Sequence, residues 1–177
     1  MDKGFTLKIK KNIDLSEEEL EEIITLCSRA FNTDYRLFLD TFPDSTHVLG
    51  YHENTLVSHA LWITRWLQVE DRPVMRTAYI EGVATDESYR KRGFATAVMN
   101  KLAEEITDFE IAGLCTGIPD FYSRLSWQAW TGPLFYRKDG EMIPYSGGPV
   151  MVLHLPDTPK IDISAPLSVE WREGEVW

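Results

Sequence analysis

Arg90-Lys91-Arg92-Gly93-Phe94-Ala95 is the stretch of this chain best suited to chemistry. It follows an apolar run ending in Glu81-Gly82-Val83-Ala84-Thr85 and a short polar turn, and it opens a helical pattern. A strand, a basic loop with a glycine and a helix start can together hold a pyrophosphate. The free N–H groups of the helix start point at the anion, and the helix dipole favours it. Gly93 lets the backbone approach closely, and the flanking cations add charge-assisted hydrogen bonds. The bland alternative is a basic turn capping an ordinary helix. Other phosphate patterns are absent: the sequence has no G-x-x-x-x-G-K-[ST] and no dinucleotide fingerprint.

The remaining chemistry-bearing residues are less organised. His47, His52, His59 and His154 have no metal-ligand spacing, so no metal site is expected. His59 lies inside a long strand pattern and reads as a core or sheet histidine rather than a base. Cys27 and Cys115 do not suggest a disulfide framework. Trp62, Trp66, Trp127 and Trp130 could wall a sugar, although core packing is the more ordinary role. The C-terminal run Glu170-Trp171-Arg172-Glu173-Gly174-Glu175-Val176-Trp177 carries two tryptophans that a disordered tail would not need. An ordered tail would dock on the domain and fix the Trp177 α-carboxylate as a negative charge. A tail that merely patches an apolar groove explains the tryptophans equally well.

The elements that must position these residues follow from periodicity. Phe5 to Lys10 alternates and reads as a strand. Ser16 and Glu19 form a capping box ahead of a helix with Leu20, Ile23, Ile24, Cys27 and Phe31 on one face. Asn32-Thr33-Asp34 breaks it, and Tyr35 to Phe42 reads as a second short helix. Three strands follow, Thr46 to Tyr51, Leu56 to Val69 and Val74 to Thr85. The helix after Gly93 carries Phe94, Val98, Leu102 and Ile106 on one stripe. Ile111 to Thr116 reads as a buried strand and Pro119 to Leu125 as a short helix. Trp127 to Trp130 and Pro149 to Leu155 read as the last strands, joined by a Gly-rich loop. This order suits one α/β domain over residues 1–177 with a central mixed sheet.

Composition sets the outer limits. The chain has 177 residues, 44% hydrophobic and 26% charged, enough for one domain with a full core. A net charge of −10 argues against a nucleic-acid partner. An acidic surface could attract a polycationic small molecule, or could serve solubility alone. No apolar run approaches the ~20 residues of a membrane helix, and no signal-type segment opens the chain. No membrane partner and a cytoplasmic location are the expectations.

Arg90-x-x-Gly93-x-Ala95 after a Val-Ala strand resembles the acetyl-CoA signature of the GCN5-related N-acetyltransferases, and the element order matches as well. The tail resembles the W-R-x-G-[ED]-V-W ending of the aminoglycoside 2'-N-acetyltransferases. Tyr79 to Ala84, Ala30-Phe31 followed by Asp34, Leu125-Ser126-Trp127 and Gly132-Pro133 agree too. The resemblance spans nearly the whole chain and departs at 35–40 and 137–148. It implies the acetyltransferase fold, a mixed, mostly antiparallel sheet flanked by helices, with the tail 165–177 docking near the substrate site. It implies acetyl-CoA as co-substrate, held by Val83, Ala84, Thr85, Arg90, Lys91, Arg92, Gly93, Phe94 and Ala95. Glu81 is implied as general base through a water, and Tyr122 as the proton donor to the leaving thiolate. Asp34, Asp40, Glu81, Gly82, Cys115, Glu175 and Trp177 are implied at a cationic aminoglycoside. For a single Asp or Glu, an exposed surface position is the commoner reading, and Cys115 could equally be a buried structural residue. Kasugamycin stands beside the 2-deoxystreptamine drugs as substrate, and a homodimer is a further expectation. The rivals are the same fold acting on a polyamine or a protein N-terminus, and an acetyl-CoA sensor without catalysis.

Overall fold

The computed structural model describes residues 4–174 and 176–177. Its chain divides into two compact units, Met1–Ile63 with Ile80–Glu105, and Thr64–Tyr79 with Ile106–Trp177. The long strands β3 (Thr55–Val69) and β4 (Met75–Thr85) each contribute a part to both units.

In the first unit, β1 (Phe5–Lys11) pairs antiparallel with β2 (Thr46–His52), from Phe5 opposite His52 to Lys11 opposite Thr46. β2 pairs in turn with β3, with a register slip between Gly50 and Tyr51. Helix α1 (Glu17–Phe31) starts on the expected capping box: Ser16 Oγ accepts from Glu19 N, and the Glu19 carboxylate accepts from Ser16 N. Asn32 in the left-handed region, φ 53°, ends it, which a short polar side chain tolerates better than most. α2 (Arg36–Leu39) is a single turn, shorter than the Tyr35 to Phe42 span expected. Ile23, Ile24, Leu26, Cys27, Tyr35 and Leu61 belong to one core cluster of this unit. α3 (Phe94–Glu105) buries Phe94, Val98, Met99 and Leu102, and Ile106 is buried just beyond its end. The predicted stripe is therefore the packed face.

The second unit is a sheet in the order β6-β9-β5-β4-β3-β10-β7-β8. Its strands beyond β3 and β4 are β5 (Ile111–Cys115), β6 (Gln128–Ala129), β7 (Leu134–Lys138), β8 (Glu141–Tyr145), β9 (Val150–His154) and β10 (Leu167–Glu170). β5 runs parallel to β4 and antiparallel to β9. Helix α4 (Pro119–Ser123) has its proline at the start, as expected.

Two expectations are corrected here. The Gly-rich segment is not a plain loop: β7 and β8 form a hairpin closed by Asp139 and Gly140, both at positive φ (52° and 81°). That pair of left-handed residues is what a tight two-residue hairpin turn requires. The tail is not only a docked end either: Leu167–Glu170 is a strand, antiparallel to β3 and parallel to β7. Glu170 fastens it, since its carboxylate accepts from Arg65 Nε at 2.6 Å and from Trp66 N at 2.9 Å. Arg65, which interrupts an apolar run in the sequence, is 2% exposed and meets a counter-charge there.

Candidate active site

The expected cofactor residues stand in the first unit. β4 ends in Glu81, Gly82 and Val83, all half-buried, then buried Ala84 and half-buried Thr85. Gly82 has φ +60°, so the strand is kinked immediately after Glu81. A Cβ at Gly82 would lie 2.3 Å from the Tyr35 hydroxyl, so only glycine fits. Ser58 Oγ donates to the Ala84 carbonyl at 3.2 Å and lies 2.8 Å from Thr85 Oγ1. Asp86 then caps a single 3₁₀ turn through Ser88 N at 2.9 Å.

Arg90, Lys91, Arg92 and Gly93 follow as an exposed loop. Lys91 and Gly93 take positive φ, 63° and 84°, and a Cβ at Gly93 would meet nothing within 4 Å. The space above Gly93 is therefore open. The first helical bond of α3 runs from Ala97 N to Gly93 O, 3.0 Å. The N–H groups ahead of it have no intrahelical acceptor, as at any helix start. A cleft of about 330 Å³ lies beside them, lined by Phe5, Arg92, Gly93, Phe94, Thr96, Ala97 and Asn100. Its apolar wall and cationic edge fit a flat heterocycle carrying phosphates. Arg92 is preset there, its guanidinium 5.1 Å from the Phe94 ring and 5.2 Å from the Tyr89 ring. Phe94 in turn stacks on Phe5, centroids 4.3 Å apart.

Asp34 and Asp40 are exposed in the same unit, flanking α2. Asp34 Oδ1 accepts from Arg36 N at 3.1 Å, so part of its capacity serves the turn. Arg36 donates to Glu21 at 2.6 Å, and Glu21 first, then Asp34 and Asp40, hold its guanidinium in the charged state. An incoming ammonium would share these carboxylates with Arg36.

Behind Gly82 lies a buried polar chain. Ser45 Oγ is 2.9 Å from His47 Nε2, and His47 Nδ1 is 2.9 Å from His59 Nε2. His59 Nδ1 is 2.7 Å from the Gly82 carbonyl oxygen. Burial pushes both imidazoles below the ordinary 6.5, His47 to about 3 with His59 adding to the effect, and His59 to about 4 against the upward pull of the Gly82 carbonyl. The unfolded chain takes up both protons near pH 6.5, whereas the folded chain resists until about 4 and 3. The unfolded state therefore binds more protons in this window. The stability contributed is complete above pH 6.5 and is lost as pH falls toward 4. A loss on the order of 4 kcal/mol is expected between pH 7.5 and 5. A thermal melt checks it, and a melting point flat over that range contradicts neutral burial of the pair.

The second unit holds the other expected residues. Tyr122, in α4, is 5% exposed and edge-on to Phe121 and Trp127, at 4.9 and 6.1 Å. Burial raises its phenol to about 12 while a hydrogen bond with Thr116 pulls it down. At neutral pH it keeps its proton and can donate it. Cys115, half-buried at the end of β5, has its Sγ 3.9 Å from Tyr145 Oη. The Tyr145 ring lies 6.1 Å from that of Trp177, which is only 2% exposed. The tail thus docks through its last residue, and Tyr145 links Cys115 to Trp177. Sequence reading missed Tyr145 because it sits in the hairpin taken for a loop. Glu175 lies outside the described residues. Among the described residues no group of His, Cys, Asp and Glu could hold a metal ion.

Comparison with known proteins identifies the family. Residues 12–129 match the acetyltransferase (GNAT) domain. The chain is 26% identical to an aminoglycoside 2'-N-acetyltransferase of Mycolicibacterium fortuitum, over 97% of this chain and 92% of that protein. Among solved structures, the GNAT family N-acetyltransferase YhbS of Escherichia coli, in complex with CoA, matches with TM-score 0.63 and 18% identity, covering 98% of this chain and 93% of that one. ElaA of Escherichia coli matches with TM-score 0.59 and 20% identity, over 84% and 98%. Eis1 of Mycobacterium abscessus is much longer: the match has TM-score 0.60 and 19% identity, and covers 72% of this chain but 32% of Eis1. With its kinked β4, its basic glycine loop on α3 and the domain match over residues 12–129, this chain belongs to the GNAT acetyltransferases.

Proposed function

We propose that this protein transfers an acetyl group from acetyl-CoA to the 2'-amine of an aminoglycoside, of the kasugamycin or 2-deoxystreptamine type, and so confers resistance. The observation behind the substrate side is the buried Trp177 ring against Tyr145, which also meets Cys115 and so orders the tail beside that residue. The net charge of −10 and the named 2'-N-acetyltransferase relative support the same direction.

In this reading the loop Arg90 to Gly93 and the start of α3 hold the pyrophosphate. The main chain of Val83 and Thr85 pairs with the pantetheine arm as with an added strand. Acetyl-CoA supplies the thioester. Glu81, through a water, takes a proton from the substrate ammonium. The freed amine attacks the thioester carbonyl, forming a C–N bond. The C–S bond breaks as the CoA thiolate takes the Tyr122 proton, the nitrogen gives its surplus proton through water to the Tyr122 phenolate, and Glu81 releases the first proton to solvent. No covalent acyl-enzyme is needed, since transfer is direct. Asp34, Asp40, Gly82, Cys115, Glu175 and Trp177 are assigned to the drug.

Tyr122→Phe removes the donor and keeps the ring packing. It is expected to lower kcat by about tenfold to a hundredfold with KM for acetyl-CoA unchanged. Steady-state kinetics at saturating acetyl-CoA read this directly, and an unchanged kcat contradicts the donor role. The reading as a whole is tested by incubating the protein with acetyl-CoA and tobramycin and locating the modification by NMR. One acetyl group on the 2'-nitrogen is expected. An acetyl group on another nitrogen overturns the regiochemistry.

A further inference from the structure

The reaction above leaves the buried chain of Ser45, His47 and His59 unused. We propose that His59, backed by His47 and Ser45, is a positioning residue that fixes the Gly82 carbonyl and with it the strand segment carrying Glu81. This deepens the acetyl-transfer reading and rests on it for its kinetic consequence.

At φ +60° Gly82 turns off the regular strand, and its carbonyl oxygen is met by side chains. His59 Nδ1 lies 2.7 Å away and Cys27 Sγ donates at 3.8 Å. Ser45, His47, His59 and Cys27 are each 1% exposed or less, so water cannot replace them.

The distances fix where the protons lie. A nitrogen 2.7 Å from a carbonyl oxygen must carry the hydrogen, because two lone pairs would repel at that range. A neutral His59 with its proton on Nδ1 has a bare Nε2, which must accept. His47 then donates from Nδ1, and its Nε2 accepts from the Ser45 hydroxyl. The single Ser45 hydroxyl hydrogen is shared between the Phe42 carbonyl at 2.7 Å and His47 Nε2 at 2.9 Å, and the Phe42 carbonyl also accepts from Ser45 N at 3.1 Å. The two imidazole N–H groups thus point one way along the chain and end on Gly82. The Cys27 thiol, raised by burial, stays protonated and supports the same oxygen. Each imidazole is held in one tautomer by the next group, so the carbonyl has a donor with no freedom to turn. Glu81 is the residue that precedes this clamp.

A packing role and a positioning role differ in which substitution is milder. His59→Asn places its amide nitrogen near the position of Nδ1 and can still reach Gly82. His59→Gln is closer to histidine in length and places its nitrogen near Nε2, on the His47 side. Positioning predicts that Asn is the milder change, and packing alone predicts Gln. In the full chain, kcat on tobramycin is expected within about fivefold of wild type for His59→Asn and about thirtyfold lower for His59→Gln, with KM for acetyl-CoA unchanged in both. Hydrogen exchange at the amides of 82–84 is expected to speed up in Gln and not in Asn. Equal effects, or a milder Gln, overturn the proposal. Glu81→Gln is measured alongside. If it loses turnover while His59→Gln keeps it, the positioning role falls and the acetyl-transfer reading stands. If neither tobramycin nor kasugamycin is a substrate, the transfer reading falls, and the exchange rates alone decide the clamp in the same sense. Should a His59 variant fail to fold, Ser45→Ala removes only the far hydroxyl. Its exchange at 82–84 is expected to rise about threefold, and unchanged exchange overturns the clamp.

Discussion

Replacing Glu81 by Gln is expected to lower kcat by about a thousandfold while leaving acetyl-CoA binding intact. The amine is mostly protonated at neutral pH, and an ammonium has no lone pair for the thioester. A carboxylate placed before the Gly82 kink is the group assigned to take that proton. Glutamine keeps the size and the hydrogen-bonding oxygen but cannot accept a proton. The cofactor contacts are assigned to the Val83–Thr85 backbone and to the loop and start of α3, which this change leaves alone. KM for acetyl-CoA should therefore stay within about twofold, so the loss falls on kcat. The rate of Glu81→Gln should recover partly at high pH, where free amine accumulates without a base. Stopped-flow release of CoA thiol against pH measures both effects. A variant with wild-type rate at pH 7 would remove Glu81 from the mechanism.

Gly82→Ala carries the second largest effect. The methyl group would sit 2.3 Å from the Tyr35 hydroxyl and 3.2 Å from His59 Cε1. Alanine also resists φ +60°, at about 1–2 kcal/mol. The segment can relieve the clash only by moving, and a displacement of about 1 Å costs roughly a hundredfold in rate. Gly82→Ala is expected to lose that factor and to melt several degrees lower. Tyr35→Phe removes the nearest atom and leaves the ring. The double variant Tyr35→Phe with Gly82→Ala should recover part of the loss, whereas the φ penalty stays. Kinetics and thermal melts of the two single variants and the double variant separate these contributions. Equal activity of Gly82→Ala and wild type would contradict the need for this kink.

Local features were legible in the sequence and non-local ones were not. Ser16 and Glu19 mark the start of α1 because a capping box is a contact three residues long. Phe94, Val98 and Leu102 mark α3 because its buried face repeats at helical spacing. The loop Arg90 to Gly93 could be found because strand, loop and helix are contiguous. The hairpin of β7 and β8 was missed because none of its residues is fully buried, so no alternation marks it. Pro144 in β8 is compatible with a strand only because β8 lies at the edge of the sheet. Tyr145 and the Cys115 thiol are 30 residues apart, and His59 and Gly82 are 23 apart. No spacing rule joins such pairs. His59 read as an ordinary sheet histidine because nothing local shows that a glycine carbonyl waits across the strand. Asp34 and Asp40 were found as carboxylates, but their shared neighbour Arg36 matters only once α2 is seen to be a single turn.

Paired substrates separate acetyl transfer to a 2'-amine from its rivals. Release of CoA thiol from acetyl-CoA should be measured with tobramycin and kasugamycin, which carry that amine, and with kanamycin A, which has a hydroxyl there. Spermidine and a short peptide complete the panel. Turnover on at least one 2'-amino drug and none on kanamycin A, spermidine or peptide is the predicted result. Turnover on kanamycin A, or on spermidine or peptide alone, contradicts it, as does binding of acetyl-CoA without turnover on any amine.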